Sequence, residues 1–263
     1  MSSKLAFLRG VNSYLKHRLT PEEARQTISR RLQQREASFL NVVRDRVYGF
    51  EHSPYLPLLK EAGCELPDLE RLVTSQGLEK ALQKLRENGV YFTFEEFKGR
   101  TPVRRSGVKE YAVDAAAFDN PRLGPGYTMS TSGSTGAGVR VTLSLDHVGS
   151  EALYDCIFAH MLDLSAAPKV LWFQSFPGFL GPRHLLRSAR AGFPLVYLCD
   201  PKAVELTNPL RLAQQRLNKK IFFKLLHRHG IRYPEPRAFP IGDPSALAHR
   251  LHQILQQHGR AFF

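Results

Sequence analysis

Cysteine is scarce in this chain: Cys64, Cys156 and Cys199 are the only thiols in 263 residues. An odd, widely spaced set of this kind makes neither a disulfide framework nor a zinc cage. It suits a reducing compartment, so the expected location is cytoplasmic. No apolar run approaches the roughly 18 residues that span a bilayer, so no transmembrane segment is expected. No signal peptide is expected either, since the N-terminus lacks a continuous apolar stretch leading to a small-residue cleavage site. Internal repeats and low-complexity tracts are missing. Acidic residues are few: 24 Asp and Glu face 37 Lys and Arg, leaving +13. The excess sits at the two ends, with eleven cations against three acids in residues 201–263. Such an excess can attract nucleotide, CoA or nucleic acid. The plainer expectation is a set of solvated helices in an arginine-rich protein, with nucleic acid not expected as a partner.

An apolar content of 43% is ample for one large domain or two smaller ones. The first twenty residues carry Leu5, Leu8, Val11 and Leu15 on one side and cations elsewhere. They are read as a short packed terminal helix. Thr20-Pro21-Glu22-Glu23 is a capping box with proline at the first helical position. Ala24, Ile28, Leu32, Phe39, Val42, Val43 and Val47 then predict one long amphipathic helix. Further helices are expected at Leu78–Leu85, stopped by Asn88-Gly89, and after Thr93, where Glu96 completes a second capping box.

From about residue 139 the pattern changes. Val139–Leu145 alternates as a strand, and Asp146 is the expected N-cap of a helix through Met161, with Val148, Leu153, Ile157, Met161 and Leu162 at roughly helical spacing. Lys169–Phe176 and Phe193–Cys199 read as buried strands around a helix at His184–Ala191. That is a βαβ unit, which implies parallel pairing and a right-handed crossover. Pro209–His229 is predicted as a basic helix with Leu212, Leu217, Ile221, Phe222, Leu225 and Leu226 inward, and Arg237–Ile241 as a strand. Asp243-Pro244 opens a last helix with Leu247, Leu251, Ile254 and Leu255 on one face, closed by Gly259. The fold class is therefore α/β, with a mainly helical region at 1–120 followed by an α/β region at 121–263 that has a parallel or mixed sheet. His227/His229 and His249/His252 have no carboxylate or cysteine cluster beside them, so they are assigned neither a metal nor a general base.

The segment 127–141 carries the most chemistry. Ser130, Thr131, Ser132, Ser134 and Thr135 crowd around Gly133, with Gly136, Gly138 and Arg140 following. Glycines let a backbone approach a ligand closely, and hydroxyls with free N–H groups suit phosphate oxygens. The segment is read as a phosphate-gripping loop. Three common glycine motifs fail by spacing. Val139 and Arg140 stand where a Walker loop needs Lys and Ser/Thr. The glycine gaps run in the wrong order for a dinucleotide fingerprint. No serine has glycine at both −2 and +2, as a nucleophile elbow requires.

Thr131-Ser132-Gly133-Ser134-Thr135-Gly136 resembles the Ser/Thr-Ser-Gly-Ser/Thr-Thr-Gly loop of the adenylate-forming (AMP-binding) superfamily, which includes acyl-CoA and aryl-CoA ligases. Gly138 and Val139 replace the Pro-Lys that commonly follows, as in the phenylacetate-CoA ligase-like and acyl-protein synthetase-like branches. Arg140 is the substitute cation, since a guanidinium can hold phosphate bidentately. Tyr91–Val103 is similar to the family's lead-in segment before the loop.

The resemblance implies the first α/β subdomain of an adenylate-forming large domain. It implies the cofactors ATP and Mg²⁺, a carboxylic acid substrate, and CoA or a protein thiol as acceptor. Thr131, Ser132, Gly133, Ser134, Thr135, Gly136 and Arg140 would hold nucleotide phosphates, and Phe176 would line the acyl or aryl pocket. The family's aromatic-Gly-x-Thr-Glu segment, ribose-binding Asp and catalytic Lys find no counterpart in residues 178–263. The expectation is thus the N-terminal part of a ligase, truncated, with the C-terminal half missing and no catalytic residue or metal ligand assigned. Two alternatives stand beside it: a non-catalytic nucleotide-binding remnant or scaffold, and a basic nucleic-acid or membrane-surface binder.

Overall fold

The computed structural model describes residues 3–119, 126–130, 140–176, 180–201, 209–242 and 244–263. From the N-terminus the chain forms α1 (Ser3–Tyr14), α2 (Pro21–Gln33) and α3 (Arg35–Val43), the last running into a π-helical turn at Arg44–Tyr48. Four more helices follow: α4 (Leu56–Glu61), α5 (Leu66–Gln76), α6 (Leu78–Glu87) and α7 (Phe94–Phe97). Next come β1 (Val103–Arg105), β2 (Val108–Tyr111) and a 3-10 turn at Ala115–Phe118. Beyond these lie β3 (Gly126–Ser130), β4 (Arg140–Ser144), α8 (Leu145–Met161), β5 (Lys169–Trp172) and α9 (Leu180–Arg190). β6 (Val196–Pro201), α10 (Pro209–Arg228), β7 (Arg237–Phe239) and α11 (Pro244–His258) complete the described elements.

The molecule is an α/β protein that divides into two compact units. One comprises Met1–Ile28, Gly124–Met129 and Leu143–Phe263; the other comprises Ser29–Leu123 and Ser130–Thr142. The expected division near residue 120 places the first 28 residues with the helical region, whereas they cluster with the C-terminal α/β unit.

The α/β unit is built on a parallel sheet of order β5-β6-β7. Lys169 pairs with Val196 and Trp172 with Cys199, while Cys199 pairs in turn with Arg237. Parallel strands need a crossover, and α9 and α10 supply the two here. Val11 and Leu15 pack with Val148, Ala152, Leu185, Leu186, Val196 and Leu226 in the main core. α11 covers the sheet through Leu247 and Ile254, which meet Val170, Cys199 and Phe239.

The second unit is helical with an antiparallel β1–β2 hairpin. Leu58, Leu59, Val90, Val103 and Val113 form one cluster, and Val43, Leu69, Val73 and Ala81 another. Its buried charge is Glu96, which accepts two bonds from Arg105, at 2.8 and 3.0 Å. Arg105 also donates to the Gly89 and Tyr91 carbonyls and lies 4.0 Å from the Tyr91 ring centroid. The Arg105 guanidinium, aided by the Thr93 amide and hydroxyl, holds the Glu96 carboxyl down to about 2.

The capping boxes at Thr20–Glu23 and Thr93–Glu96 form as read from the sequence. Several expectations need correction. The single helix through Val47 breaks after Gln33 and ends in the π turn, leaving Leu32 and Val42 exposed. The N-cap of α8 is Ser144, whose hydroxyl accepts from the His147 amide at 3.2 Å, and Asp146 lies two residues on, in the first turn. Met161 and Leu162 are exposed at 76% and 52%, because the stripe of α8 that reaches the core is shared by Val148, Ala152, Asp155 and Ala159. Leu217 points out at 57% exposure, while Phe222, Phe223 and Leu226 are buried on α10.

Candidate functional site

Ligands of open parallel sheets bind beyond the carboxyl ends of the strands. In the α/β unit this edge is formed by the residues after β5 and the end of β6. The Phe173 amide still donates to the Cys199 carbonyl at 3.2 Å, so pairing persists one residue past the strand. Gly181, at the start of α9, then donates its amide to the Gln174 carbonyl at 2.9 Å. A Cβ at Gly181 would stand 2.7 Å from that oxygen and 2.9 Å from Leu198 Cδ2. Only glycine lets the helix start this close to the strand end.

Ser175 is buried at this edge, and its hydroxyl donates to the Asp200 carboxylate from the next strand. This pair joins the ends of β5 and β6. Phe176 is half-buried; its ring meets Phe222 edge-on at 5.6 Å, and its carbonyl accepts from the Gln215 side-chain amide. The residue named from sequence as a pocket wall thus packs on the main core. His184 stacks on Phe173 with centroids 4.1 Å apart and planes 8° from parallel. Burial, then repulsion from Arg187, Arg183 and Lys169, pushes its imidazole down to about 4, so it is neutral at physiological pH. A neutral ring stacked on phenylalanine positions that loop, and at physiological pH it carries no acidic imidazolium proton.

A second polar cluster lies beside the opposite end of β5. Asp155 accepts Lys169 Nζ at 3.0 Å and Arg187 Nε at 2.6 Å, with a further bond from Arg187 Nη2. One turn earlier, Glu151 accepts Arg183 Nε at 3.1 Å and lies 3.7 Å from His147. Burial raises the Glu151 carboxyl, but Arg183 and Arg187 outweigh it, leaving it below the usual carboxylate range. Burial pushes the Lys169 ammonium below its ordinary value against the opposing pull of Asp155. Its Nζ also sits over the Phe193 and Phe262 rings, at 4.7 and 5.0 Å. Every charge here has an opposite partner, so the arrangement locks α8, β5 and α9 together. Sequence reading passed over these residues, yet a signal exists. Glu151/Asp155 and Arg183/Arg187 are each four apart on helices that flank one strand.

Of the phosphate-loop residues named from sequence, Thr131, Ser132, Gly133, Ser134, Thr135 and Gly136 lie outside the described residues. Arg140 opens β4, which forms a two-stranded sheet with β3. The strands therefore bracket the segment on either side, and the Ser144-capped α8 follows directly. A groove of about 510 Å³ in the helical unit is lined by Ser53, Pro54, Lys60, Tyr111 and Asp114, among others, and by none of the residues singled out from the sequence. Among the described residues no group of three or more His, Cys, Asp or Glu could cage a metal ion. Comparison with protein-family models, with curated proteins and with solved structures finds no match to this chain.

Proposed function

We propose that the chain is the nucleotide-phosphate-binding part of an ATP-dependent, adenylate-forming acid–thiol ligase of the phenylacetate-CoA ligase-like or acyl-protein synthetase-like kind. One observation carries the reading: the run Thr131-Ser132-Gly133-Ser134-Thr135-Gly136 between two strands and ahead of a capped helix. The donor set suits phosphate, because residues 127–141 hold hydroxyls, glycine amides and Arg140 but no carboxylate. The βαβ unit of β5, α9 and β6 supports it as the kind of sheet whose carboxyl edge takes ligands.

In such a ligase, bound ATP supplies an electrophilic α-phosphorus. A substrate carboxylate oxygen bonds to it, the bond to the bridging oxygen breaks, and pyrophosphate leaves. The protein contributes orientation and neutralisation of charge on the departing phosphates. Thr131, Ser132, Ser134 and Thr135 would hold those oxygens, with Arg140 as the auxiliary cation. Phe176 would belong to the acyl or aryl pocket. Mg²⁺ would be held largely by the nucleotide phosphates, as is usual for that ion.

A second reading follows from the sequence after residue 178, which contains no aromatic-Gly-x-Thr-Glu segment. In that reading the chain holds a nucleotide without performing chemistry. ATP–pyrophosphate exchange over a panel of aliphatic and aromatic acids separates the two. Exchange supports the ligase, and ATP binding without exchange supports the holder. Gly133→Asp places a carboxylate against phosphate and is expected to abolish ATP binding in either case, read by calorimetry. Unchanged affinity in that variant removes both.

A further inference from the structure

We infer that the exposed face of α10 is a docking surface for the phosphodiester backbone of a nucleic acid, gripped without regard to sequence. This inference does not rest on the nucleotide loop. α10 contains no Asp or Glu in twenty residues. Its core-facing side is committed to Phe222, Phe223 and Leu226, which are buried. The opposite side presents Lys220, Lys224 and Arg228, all exposed and spaced four apart. Four residues advance a helix by about 6 Å, so the three cations stand in a row at a pitch close to that of neighbouring phosphates on one strand.

Two further observations place the row in a wider cationic field. Lys16, two residues past α1, and Arg228 both push the imidazole of His229 down, after burial, so a second segment adds a cation near the end of the row. Glu235 pairs with Lys219 at 2.6 Å, beside the row. Lys220 also acts on Glu235 through space, but among the described residues no carboxylate lies within ion-pair distance of Lys220, Lys224 or Arg228. Like charges set one turn apart repel, and a polyanion relieves the repulsion while releasing its own counterions. A bilayer is the poorer fit, since a helix lying in a membrane surface needs its apolar side free. Here that side is spent on the core.

The test uses the full chain and a labelled single-stranded RNA of about twenty nucleotides, followed by fluorescence anisotropy between about 50 and 200 mM salt. Binding is expected with a log–log salt slope of about −2 to −3, matching three or four phosphates neutralised. The triple variant Lys220→Gln, Lys224→Gln, Arg228→Gln should weaken binding at least tenfold and flatten the slope by about 2. A control triple on α6, Lys80→Gln, Lys84→Gln, Arg86→Gln, removes the same charge elsewhere and should bind as the parent does. Thermal melts of both variants check that they fold. Equal loss in the two triples, or none in the first, overturns the proposal. Tighter binding to phosphatidylserine vesicles than to RNA, lost in the first triple, also overturns it and assigns the face to a membrane surface. Gly133→Asp should leave RNA binding unchanged, so failure of the nucleotide reading and failure of this one are separable.

Discussion

His184 shows how a single side chain sets a pH dependence. Its folded-state imidazole titrates near 4, far below the ordinary 6.5, chiefly because it is buried. Above pH 6.5 the ring is neutral in both folded and unfolded chains, and its contribution is fully present. As pH falls, the unfolded chain takes up the proton first, so stability drops between about 6.5 and 4. His229 has the same sign of shift. His184→Gln is therefore expected to remove part of the slope of stability against pH in that window, measured by urea unfolding at successive pH values. An unchanged slope would mean that the imidazole is not buried as described. Asp155 is the more severe case. Asp155→Ala strands Lys169 and Arg187 without their shared carboxylate, and loss of one member of a buried ion cluster costs about 3–5 kcal/mol. Urea unfolding at neutral pH reads this directly, and a loss under about 1 kcal/mol would place the cluster in water.

Among the elements, those with a local chemical signature could be read directly from the sequence. Thr20 with Glu23, and Thr93 with Glu96, each sit three apart ahead of an apolar run, and both boxes form. At α5 the Glu65 amide donates to the Asp68 carboxylate at 3.0 Å, and this cap was not legible, since Glu is not among the usual N-cap residues. Ser144 and Asp146 are both good caps, and choosing between them needs the last residue of the preceding strand, which only pairing fixes. The choice is testable. Ser144→Ala should cost about 1 kcal/mol, whereas Asp146→Ala should cost no more than a few tenths through the helix dipole. Thermal unfolding of the two variants side by side decides it, and a larger loss at Asp146 would restore the other cap. The amphipathic pattern from Ala24 to Val47 carried no proline or glycine to mark the breaks in its helix. Contacts with Leu69, Val73 and Ala81 select Val43 over Val42, and periodicity alone cannot supply that preference.

At the scale of the whole molecule, the parallel sheet was legible because buried strands bounded by turn residues and separated by a helix leave few topologies open. The Ser175–Asp200 contact was not, because 25 residues separate the two and only strand register brings them together. The phosphate loop was legible as a run of residue types, which is why Gly133→Asp can be specified before any ligand is known. Surplus positive charge was visible as composition, but its concentration into one row depended on which side of α10 faces the core. A last consequence follows from Phe262. Its amide donates to the Pro168 carbonyl at 2.9 Å, and its carbonyl accepts from Val170 at 2.7 Å, so it stands as a parallel rung beside β5. A strand flank left open recruits other chains, and natural proteins guard against this. Residue 262 acts here as a doorstop: where β5 begins, the flank that would seed stacking of one molecule on the next is taken by the chain's own backbone.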